Sequence, residues 1–140
     1  MNLLKNRNAS CSATMCVIAD RFFDSTSVYQ GAARKLDGEI IDRLNAFAVG
    51  DCVPDITFLL DVDAATAESR MQREPRKADR MEQQPMEFYE RVRKGYRELA
   101  AHEPNRIVLI DGSGDIEEIE KQIWKTLSSR FSVLAKASGL

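Results

Sequence analysis

The chain has 140 residues, of which 44% are hydrophobic and 30% charged, and its formal net charge is -2. This composition is typical of one globular domain rather than a disordered segment. At this near-neutral net charge no overall basic field points to nucleic acid, so we expect no nucleic-acid partner. No apolar run approaches the ~20 residues of a transmembrane helix, and we expect neither a signal peptide nor a membrane partner.

Three runs predict buried strands: CVIAD (16–20), DITFLLDV (55–62) and RIVLID (106–111). Each is almost continuously apolar, which is typical of strands covered on both faces of a sheet. The three cysteines include no CxxC pair, so we expect reduced thiols and a cytoplasmic location. The only histidine, His102, lies in AAHEP, which is typical of a solvated helix end rather than a metal or catalytic site.

Helical patterns separate these strands. The segment 38–50 is predicted to be a helix that ends at Gly50 and covers the sheet with one apolar face, comprising Ile40, Ile41, Leu44, Phe47 and Ala48. Asp63 is the expected N-cap of a second helix. Pro85 opens a third helix, which carries at helical spacing Met86, Tyr89, Val92, Tyr96 and Leu99. Asp115 starts a fourth, whose core side is predicted to comprise Ile116, Ile119, Ile123, Leu127 and Phe131. Alternating strands and helices predict an α/β fold with a parallel sheet.

Acidic residues end each predicted strand, at Asp20, Asp61 and Asp111. Ligands of parallel sheets gather at the carboxyl ends of strands, so these positions are candidate site residues. Arg21 follows Asp20, and a guanidinium can bind a phosphate with two parallel hydrogen bonds. The pair therefore predicts a phosphate ligand at the end of the first of these strands.

Hydroxyl and amide side chains follow this pair in DSTSVYQG. In an α-helix, Ser25 would lie one turn from Tyr29, and Thr26 one turn from Gln30, so that all four could face one ligand. The amide of Gln30 can both donate and accept, which matches the imide edge of a pyrimidine. The alternative is a capped helix with exposed polar residues, and the spacing alone does not separate the two interpretations.

A second basic cluster follows, in SRMQREPRKADRME, with arginines at Arg70, Arg73, Arg76 and Arg80. Arginines in a loop that closes over phosphates would neutralise charge during phosphoryl transfer. The alternative is a solvated helix end with surface salt bridges, which is the more frequent meaning of an isolated charge run.

Four segments together resemble the thymidylate kinase family: DRFFDSTSVYQGAAR, PDITFLLDVDAATAESR, DRMEQQPMEFYERVRKGYRELA and RIVLIDGSGDIEEI. The resemblance runs from about Val17 to Phe131. It implies a P-loop kinase-like, three-layer α/β/α fold. It also implies transfer of the γ-phosphate of ATP to dTMP, giving dTDP for dTTP biosynthesis, with Mg²⁺ as cofactor. One alternative is another P-loop kinase of nucleosides or nucleotides, but the YQG segment argues against it.

The resemblance assigns roles on the acceptor side. Arg21 would hold the monophosphate of dTMP, and Asp20 would help to place magnesium or Arg21. Gln30 would recognise the thymine edge, with Ser25 or Thr26 in support. Tyr29 would crowd the 2′ position of the sugar and favour deoxyribose.

Donor-side roles follow from the same resemblance. Residues 70–85 would form a lid in which Arg73 or Arg76 stabilises transferred charge, while Arg70 and Arg80 belong to the same ATP-facing segment. The segment Asp79-Arg80-Met81-Glu82 matches the family's lid-closing DR.E. Gly112 and Ser113 would pass near adenine. Family members are typically homodimers.

One family motif does not occur: no GxxxxGK[ST], the phosphate-binding P-loop, is found in these residues. We therefore expect residues 16–140 to form a partial thymidylate kinase domain, with residues 1–15 unassigned and unlike the family. The family's sheet would place a further strand between 16–20 and 55–62, so either these strands close the gap, or residues 1–14 fill it, or the chain is marginally stable. We expect little or no turnover from this chain alone; the alternative is a non-catalytic nucleotide-binding module that needs a separate P-loop chain.

Overall fold

The computed structural model describes residues 2–5, 16–33, 37–73 and 84–131, and gives the backbone alone for 2–5, 32–33, 71 and 73. The strands are β1 (Asn2–Lys5), β2 (Cys16–Ala19), β3 (Ile56–Asp61) and β4 (Ile107–Asp111). The helices are α1 (Phe23–Thr26), a π-helix (Ser27–Ala33), α2 (Gly38–Val49), α3 (Ala64–Arg73), α4 (Met86–His102) and α5 (Ile116–Arg130). The three predicted strands are confirmed to within one residue at either end.

The four strands form one sheet in the order β2-β1-β3-β4. β3 and β4 are parallel, with Thr57 opposite Ile107 and Asp61 opposite Asp111. β1 is antiparallel to both β2 and β3, so β2 points in the same direction as β3 and β4. The three predicted strands are therefore parallel in direction, and their carboxyl ends share one edge of the sheet.

β1 lies in the gap that the family's sheet predicts between the strands at 16–20 and 55–62. Residues 2–5 fill it, pairing over four residues with β2 and over two with β3. The sheet is mixed rather than wholly parallel because β1 enters in the opposite direction. The connection from β1 to β2, residues 6–15, is shorter than the crossover of about a dozen or more residues that parallel neighbours need, so an antiparallel pair is the accessible one.

Helices cover both faces of the sheet. On one face, Ile56, Phe58 and Ile110 pack against Leu127, with Ile119, Ile123 and Phe131 alongside, so the predicted core side of α5 is confirmed at those positions. On the other, Phe88 and Val92 of α4 pack against Val28 of the π-helix, with Tyr29, Tyr96 and Leu99 alongside. This three-layer arrangement is the predicted α/β/α fold.

The helix starts follow the predicted local signals. Asp63 caps α3, since its carboxylate accepts from the backbone N–H of Thr66 at 2.8 Å and from its hydroxyl at 2.7 Å. Gly50 ends α2 with φ = 52°, in the region that favours glycine. His102 is exposed at the last turn of α4, as expected.

The predicted apolar face of α2 is confirmed at Ile41 and wrong at its other large residues. Ile40, Leu44 and Phe47 are 57, 63 and 90% exposed, and the buried side chains of this helix are Ile41 and Asn45. α2 packs on the π-helix, where the side-chain amide of Asn45 donates to Ser27 Oγ at 2.8 Å. The packed face is therefore narrow and partly polar, and the stripe formed by Ile40, Leu44 and Phe47 lies on the outer surface.

The expected core role of Ile116 is also wrong, and Met86, the first residue of the apolar spacing on α4, is not buried either. Ile116 is 83% exposed and Met86 41% exposed. Each is the first residue of its helix, α5 and α4 respectively. The predicted spacing holds further along, at Val92 on α4 and at Ile119, Ile123 and Leu127 on α5.

Candidate functional site

Arg21 follows the carboxyl end of β2 in a conformation that arginine rarely adopts. Its φ is +62°, in the left-handed region, and it is the only described non-glycine residue with positive φ. The turn directs its guanidinium over the ring of Tyr29, with 5.5 Å from Cζ to the ring centroid. Asp20 and Arg21 are both exposed, so a ligand can reach both side chains.

The polar residues after Arg21 do not form the regular α-helix that their spacing suggested. α1 is one turn long, and the backbone continues as a π-helix, a form that occurs frequently at functional sites. Thr26 is exposed and Gln30 is half-buried, while Ser25 accepts a hydrogen bond from the hydroxyl of Tyr96 at 2.9 Å. Ser25 is therefore already hydrogen-bonded within the protein.

Aromatic side chains support Tyr29 from α4. Its ring lies edge-on to Tyr96, with centroids 6.3 Å apart, and 6.0 Å from the ring of Phe88. Burial raises the pKa of Tyr96, so its phenol stays protonated and able to donate to Ser25. The cluster of Arg21, Ser25, Tyr29 and Tyr96 is called the acceptor cluster below.

A buried ion pair holds α1 against the sheet. Asp24 is 3% exposed, and both of its carboxylate oxygens accept from the guanidinium of Arg106, at 2.7 and 2.9 Å. Thr57 donates its hydroxyl to the same carboxylate at 3.2 Å, and Glu103 accepts from the other edge of Arg106. Burial acts to lower the pKa of Arg106, but the hydrogen bonds to Asp24 and Glu103 outweigh it and raise this pKa overall. The hydrogen bond from Arg106 lowers the pKa of Glu103.

A second charged cluster lies where β3 and β4 end. Asp61 accepts two hydrogen bonds from Arg93 of α4, at 2.6 and 3.0 Å, and pairs with Arg97 at 3.2 Å. The hydrogen bond from Arg93 lowers the pKa of Asp61, and the nearby carboxylates, Asp61 first, raise that of Arg93. Asp63 and Asp111 have lowered pKa values too, chiefly from hydrogen bonds with Thr66 and Ser113 respectively. Two of the three strand-end acids thus share this cluster with Asp63.

Arg70 connects α3 to the loop after β4. Its guanidinium donates to the carbonyl oxygens of Gly112 at 2.9 Å and Ser113 at 3.4 Å. The structure thus brings together three residues that the resemblance placed near ATP. Gly112 is closely packed, since a Cβ there would lie 2.6 Å from Val62 Cγ2. The loop therefore depends on a residue without a side chain.

The rest of the predicted lid contributes less. Arg73 ends α3, and its side chain is not among those described. Arg76, Arg80 and the DR.E segment lie outside the described residues. Their roles stay predictions.

Sequence reasoning missed the residues that hold the site residues in place: Asp24, Arg93, Arg97, Tyr96 and Arg106. Arg93 and Arg97 carried one signal, because their i, i+4 spacing places two cations on one side of α4, opposite the acids that end β3. Nothing local signals the pairing of Asp24 with Arg106, which are 82 residues apart.

The fold, together with the charged residues at the carboxyl ends of the strands, is that of an α/β protein of P-loop kinase type, with helices on both faces of the sheet. The family model for thymidylate kinase matches residues 3–123. The chain belongs to the thymidylate kinase family. The match takes in most of residues 1–15, which the sequence left unassigned, and it includes β1 from Leu3 onward.

Individual relatives agree. The thymidylate kinase of Afipia carboxidovorans is 40% identical over 118 residues, covering 83% of this chain and 52% of the relative. That of Kosmotoga olearia is 43% identical over 109 residues, covering 78% and 52%. The crystal structure of thymidylate kinase from Ehrlichia chaffeensis aligns with a TM-score of 0.53 and 35% identity, covering 77% of this chain and 46% of that one. The chain spans about half the length of these relatives.

Among the described residues, no helix is long and apolar enough to cross a membrane. In the same part of the chain, no three His, Cys, Asp or Glu side chains are grouped as metal ligands.

Proposed function

We propose that the acceptor cluster binds dTMP as the phosphoryl acceptor of a thymidylate kinase. The observation that carries this proposal is the position of Arg21, whose guanidinium lies over Tyr29 and remains exposed where β2 ends. Ser25 and Tyr29 both contact Tyr96, and the half-buried Gln30 follows Tyr29 in sequence. A cation that can bind phosphate, an aromatic ring and an amide therefore belong to one short segment, and these groups suit a pyrimidine deoxynucleotide monophosphate.

The proposed chemistry assigns positioning and charge neutralisation to these side chains. Phosphoryl transfer needs an acceptor oxygen held in line with the γ-phosphate, and the protein contributes mainly geometry and electrostatics. Arg21 would hold the acceptor phosphate by charge-assisted hydrogen bonds, and Tyr29 would limit space at the sugar. Arg73 and Arg76 would neutralise charge that develops during transfer.

ATP and Mg²⁺ belong to the same proposal. Mg²⁺ is bound in such sites by one or two carboxylates together with substrate phosphates, so the exposed carboxylate of Asp20 fits its chemistry. Bound there, Mg²⁺ would neutralise phosphate charge. Arg70 and the loop at Gly112 and Ser113 would form the wall facing adenine, supported by their mutual hydrogen bonds.

The test measures binding and turnover separately on the 140-residue chain. Calorimetric titration with dTMP should show binding, and we expect dTDP formation from ATP and dTMP well below ~1 per second, a typical enzymatic rate. The reason is that these residues contain no GxxxxGK[ST]. Turnover at or above that rate would contradict the expected dependence on a separate P-loop. Failure to bind dTMP would contradict the acceptor site itself.

An added P-loop polypeptide tests the second candidate function. A non-catalytic nucleotide-binding module is favoured by one observation: the acceptor cluster is assembled within residues 21–96 without the P-loop motif. Such a module would bind dTMP, show no turnover alone and gain turnover only when the P-loop polypeptide is added. A chain that forms dTDP slowly by itself, or gains nothing from the added polypeptide, would contradict this candidate.

A homodimer is also proposed, and the exposed stripe of α2 is its strongest support. Ile40, Leu44 and Phe47 form an apolar row that the described part of the chain leaves exposed. Light scattering should give the mass of a dimer, and Phe47→Ser should lower it to that of a monomer. A wild-type monomer at high concentration would contradict dimerisation through this stripe.

We further propose a cytoplasmic location, which the exposed free thiols of Cys16 and Cys52 support.

A further inference from the structure

Tyr96 contacts the acceptor cluster from a different part of the chain. Its hydroxyl donates to Ser25 Oγ at 2.9 Å, across 71 residues of sequence, and its ring meets Tyr29 edge-on, at an interplanar angle of 78°. One side chain therefore contacts two residues of the short helical segment at once.

The scaffold behind Tyr96 is well packed. On α4, Val92 lies one turn before it and Ala100 one turn after it, and both are buried. Val92 and the neighbouring Phe88 pack on Val28 of the π-helix, so α4 and the π-helix share a common core. The position of Tyr96 relative to the acceptor segment is thus set by core packing rather than by the exposed loop at Arg21.

A chain of contacts leads from Tyr96 to Arg21, the residue predicted to bind phosphate. Tyr96 packs against Tyr29, and the guanidinium of Arg21 lies over the ring of Tyr29, with 5.5 Å from Cζ to the ring centroid. A tilt of Tyr29 would change both the space beside the nucleotide sugar and the surface on which Arg21 rests. The hydroxyl of Tyr96 also holds Ser25, four residues before Tyr29, so the backbone that carries Tyr29 is fixed at a second point.

We propose that Tyr96 is a positioning residue that holds Tyr29 against the sugar of the acceptor and so sets the preference for deoxyribose over ribose. This inference rests on the proposed function, because it presumes that dTMP occupies the acceptor cluster. Tyr96 acts through Tyr29 and Ser25 and touches neither the reacting phosphates nor the metal. Its effect should therefore appear in the discrimination between sugars.

The test compares dTMP with its ribose counterpart, 5-methyluridine monophosphate, by calorimetry on the 140-residue chain. Tyr96→Phe keeps the ring and removes the hydroxyl. The ratio that reports sugar preference is the dissociation constant of 5-methyluridine monophosphate divided by that of dTMP. We expect Tyr96→Phe to lower this ratio by roughly threefold to tenfold, the effect of losing one hydrogen bond. Tyr89→Phe makes the same chemical change two turns earlier on α4, where the ring contacts Phe88, and should leave the ratio unchanged.

A double-mutant cycle tests the route through Ser25. Ser25→Ala should lower the ratio in the wild-type background and have little further effect in Tyr96→Phe, since both changes remove the same bond. Additive effects of the two substitutions on this ratio would contradict the proposal that Tyr96 acts through Ser25. If Tyr96→Phe fails to fold, Ser25→Ala alone tests the same bond.

The outcomes separate this inference from the proposed function. A wild-type chain that does not bind dTMP overturns both. A wild-type chain that binds dTMP and prefers it to the ribose form, with an unchanged ratio in Tyr96→Phe and Ser25→Ala, overturns the role of Tyr96 alone. A lower thermal midpoint with an unchanged ratio would likewise make Tyr96 a purely structural residue.

Discussion

The guanidinium of Arg106 donates to both carboxylate oxygens of Asp24, at 2.7 and 2.9 Å, and connects the start of β4 to the helix after β2. Their side chains are 11 and 5% exposed, so this ion pair is largely removed from water. Removing one partner of such a pair costs more than the pair contributes, because a charge stays buried without its counter-ion. The segment that carries the acceptor cluster therefore depends on a contact that does not touch the ligand.

Asp24→Asn should lower the free energy of unfolding by about 3 kcal/mol, the lower end of the range for breaking a buried ion pair, since Glu103 still accepts from Arg106. Urea denaturation measures this loss. Asp42→Asn is the matched control, because Asp42 is exposed on α2 and its change should stay within about 0.5 kcal/mol. Equal stability of the two variants would show that the pair does not hold α1.

Arg93→Gln should weaken the dependence of the free energy of unfolding on pH in the acid range. The pKa of Asp61 is held below its ordinary 3.8, first by the hydrogen bond from Arg93, so the unfolded chain binds this proton more tightly. Stability from Asp61 is therefore complete above about pH 5 and is lost as the pH falls through the ordinary and then the lowered pKa. Urea unfolding between neutral pH and about pH 3 measures the slope.

Lys94→Gln is the control for this profile. Lys94 follows Arg93 on α4, and its ion pair among the described residues is an exposed one with Glu98, at 3.7 Å, so the slope should not change. Some acid dependence should remain in Arg93→Gln from the other carboxyls with lowered pKa values, which are Asp63, Glu103 and Asp111. An Arg93→Gln profile that matches the wild type would rule out Asp61 as a contributor.

Gly112→Ala should destabilise the loop after β4 by roughly 1–3 kcal/mol, the usual cost of overpacking. The added Cβ would lie 2.6 Å from Val62 Cγ2 and 3.3 Å from the carbonyl oxygen of Asp61, and the backbone at Asp61 cannot retreat while it is paired in the sheet. Gly114→Ala is the control in the same loop, where the Cβ meets only the end of the flexible Glu118 side chain at 3.4 Å. Thermal unfolding of both variants gives the comparison, and equal midpoints would contradict the close packing at Gly112.

Arg21→Ala should weaken dTMP binding by about 10- to 100-fold, the effect of a lost charge-assisted contact, and weaken thymidine binding far less. Its left-handed backbone also disfavours alanine, but that strain acts equally on both ligands and cancels in their ratio. Arg43→Ala, an exposed arginine on α2, should change neither affinity. Calorimetry that finds dTMP and thymidine weakened equally would remove Arg21 from the phosphate site.

The sequence by itself determined the strands at β2, β3 and β4, the cap at Asp63, the end of α2 at Gly50 and the acids that end the strands. These features depend on local periodicity, on caps that reach three residues along the chain, and on glycine backbone freedom, all of which are present in short windows. The four quoted segments also sufficed to predict the family, because their order and spacing are jointly specific.

Only the tertiary structure decided which distant groups meet. The antiparallel entry of β1 into the gap, the exposed stripe at Leu44, the Asp24–Arg106 pair and the Tyr96–Ser25 bond all depend on the path of the chain between elements. An apolar stripe indicates that a helix can bury a face, and a charge indicates that a residue can form a pair. Neither specifies the partner, because packing energies are set by the surfaces that folding brings together rather than by neighbours in sequence.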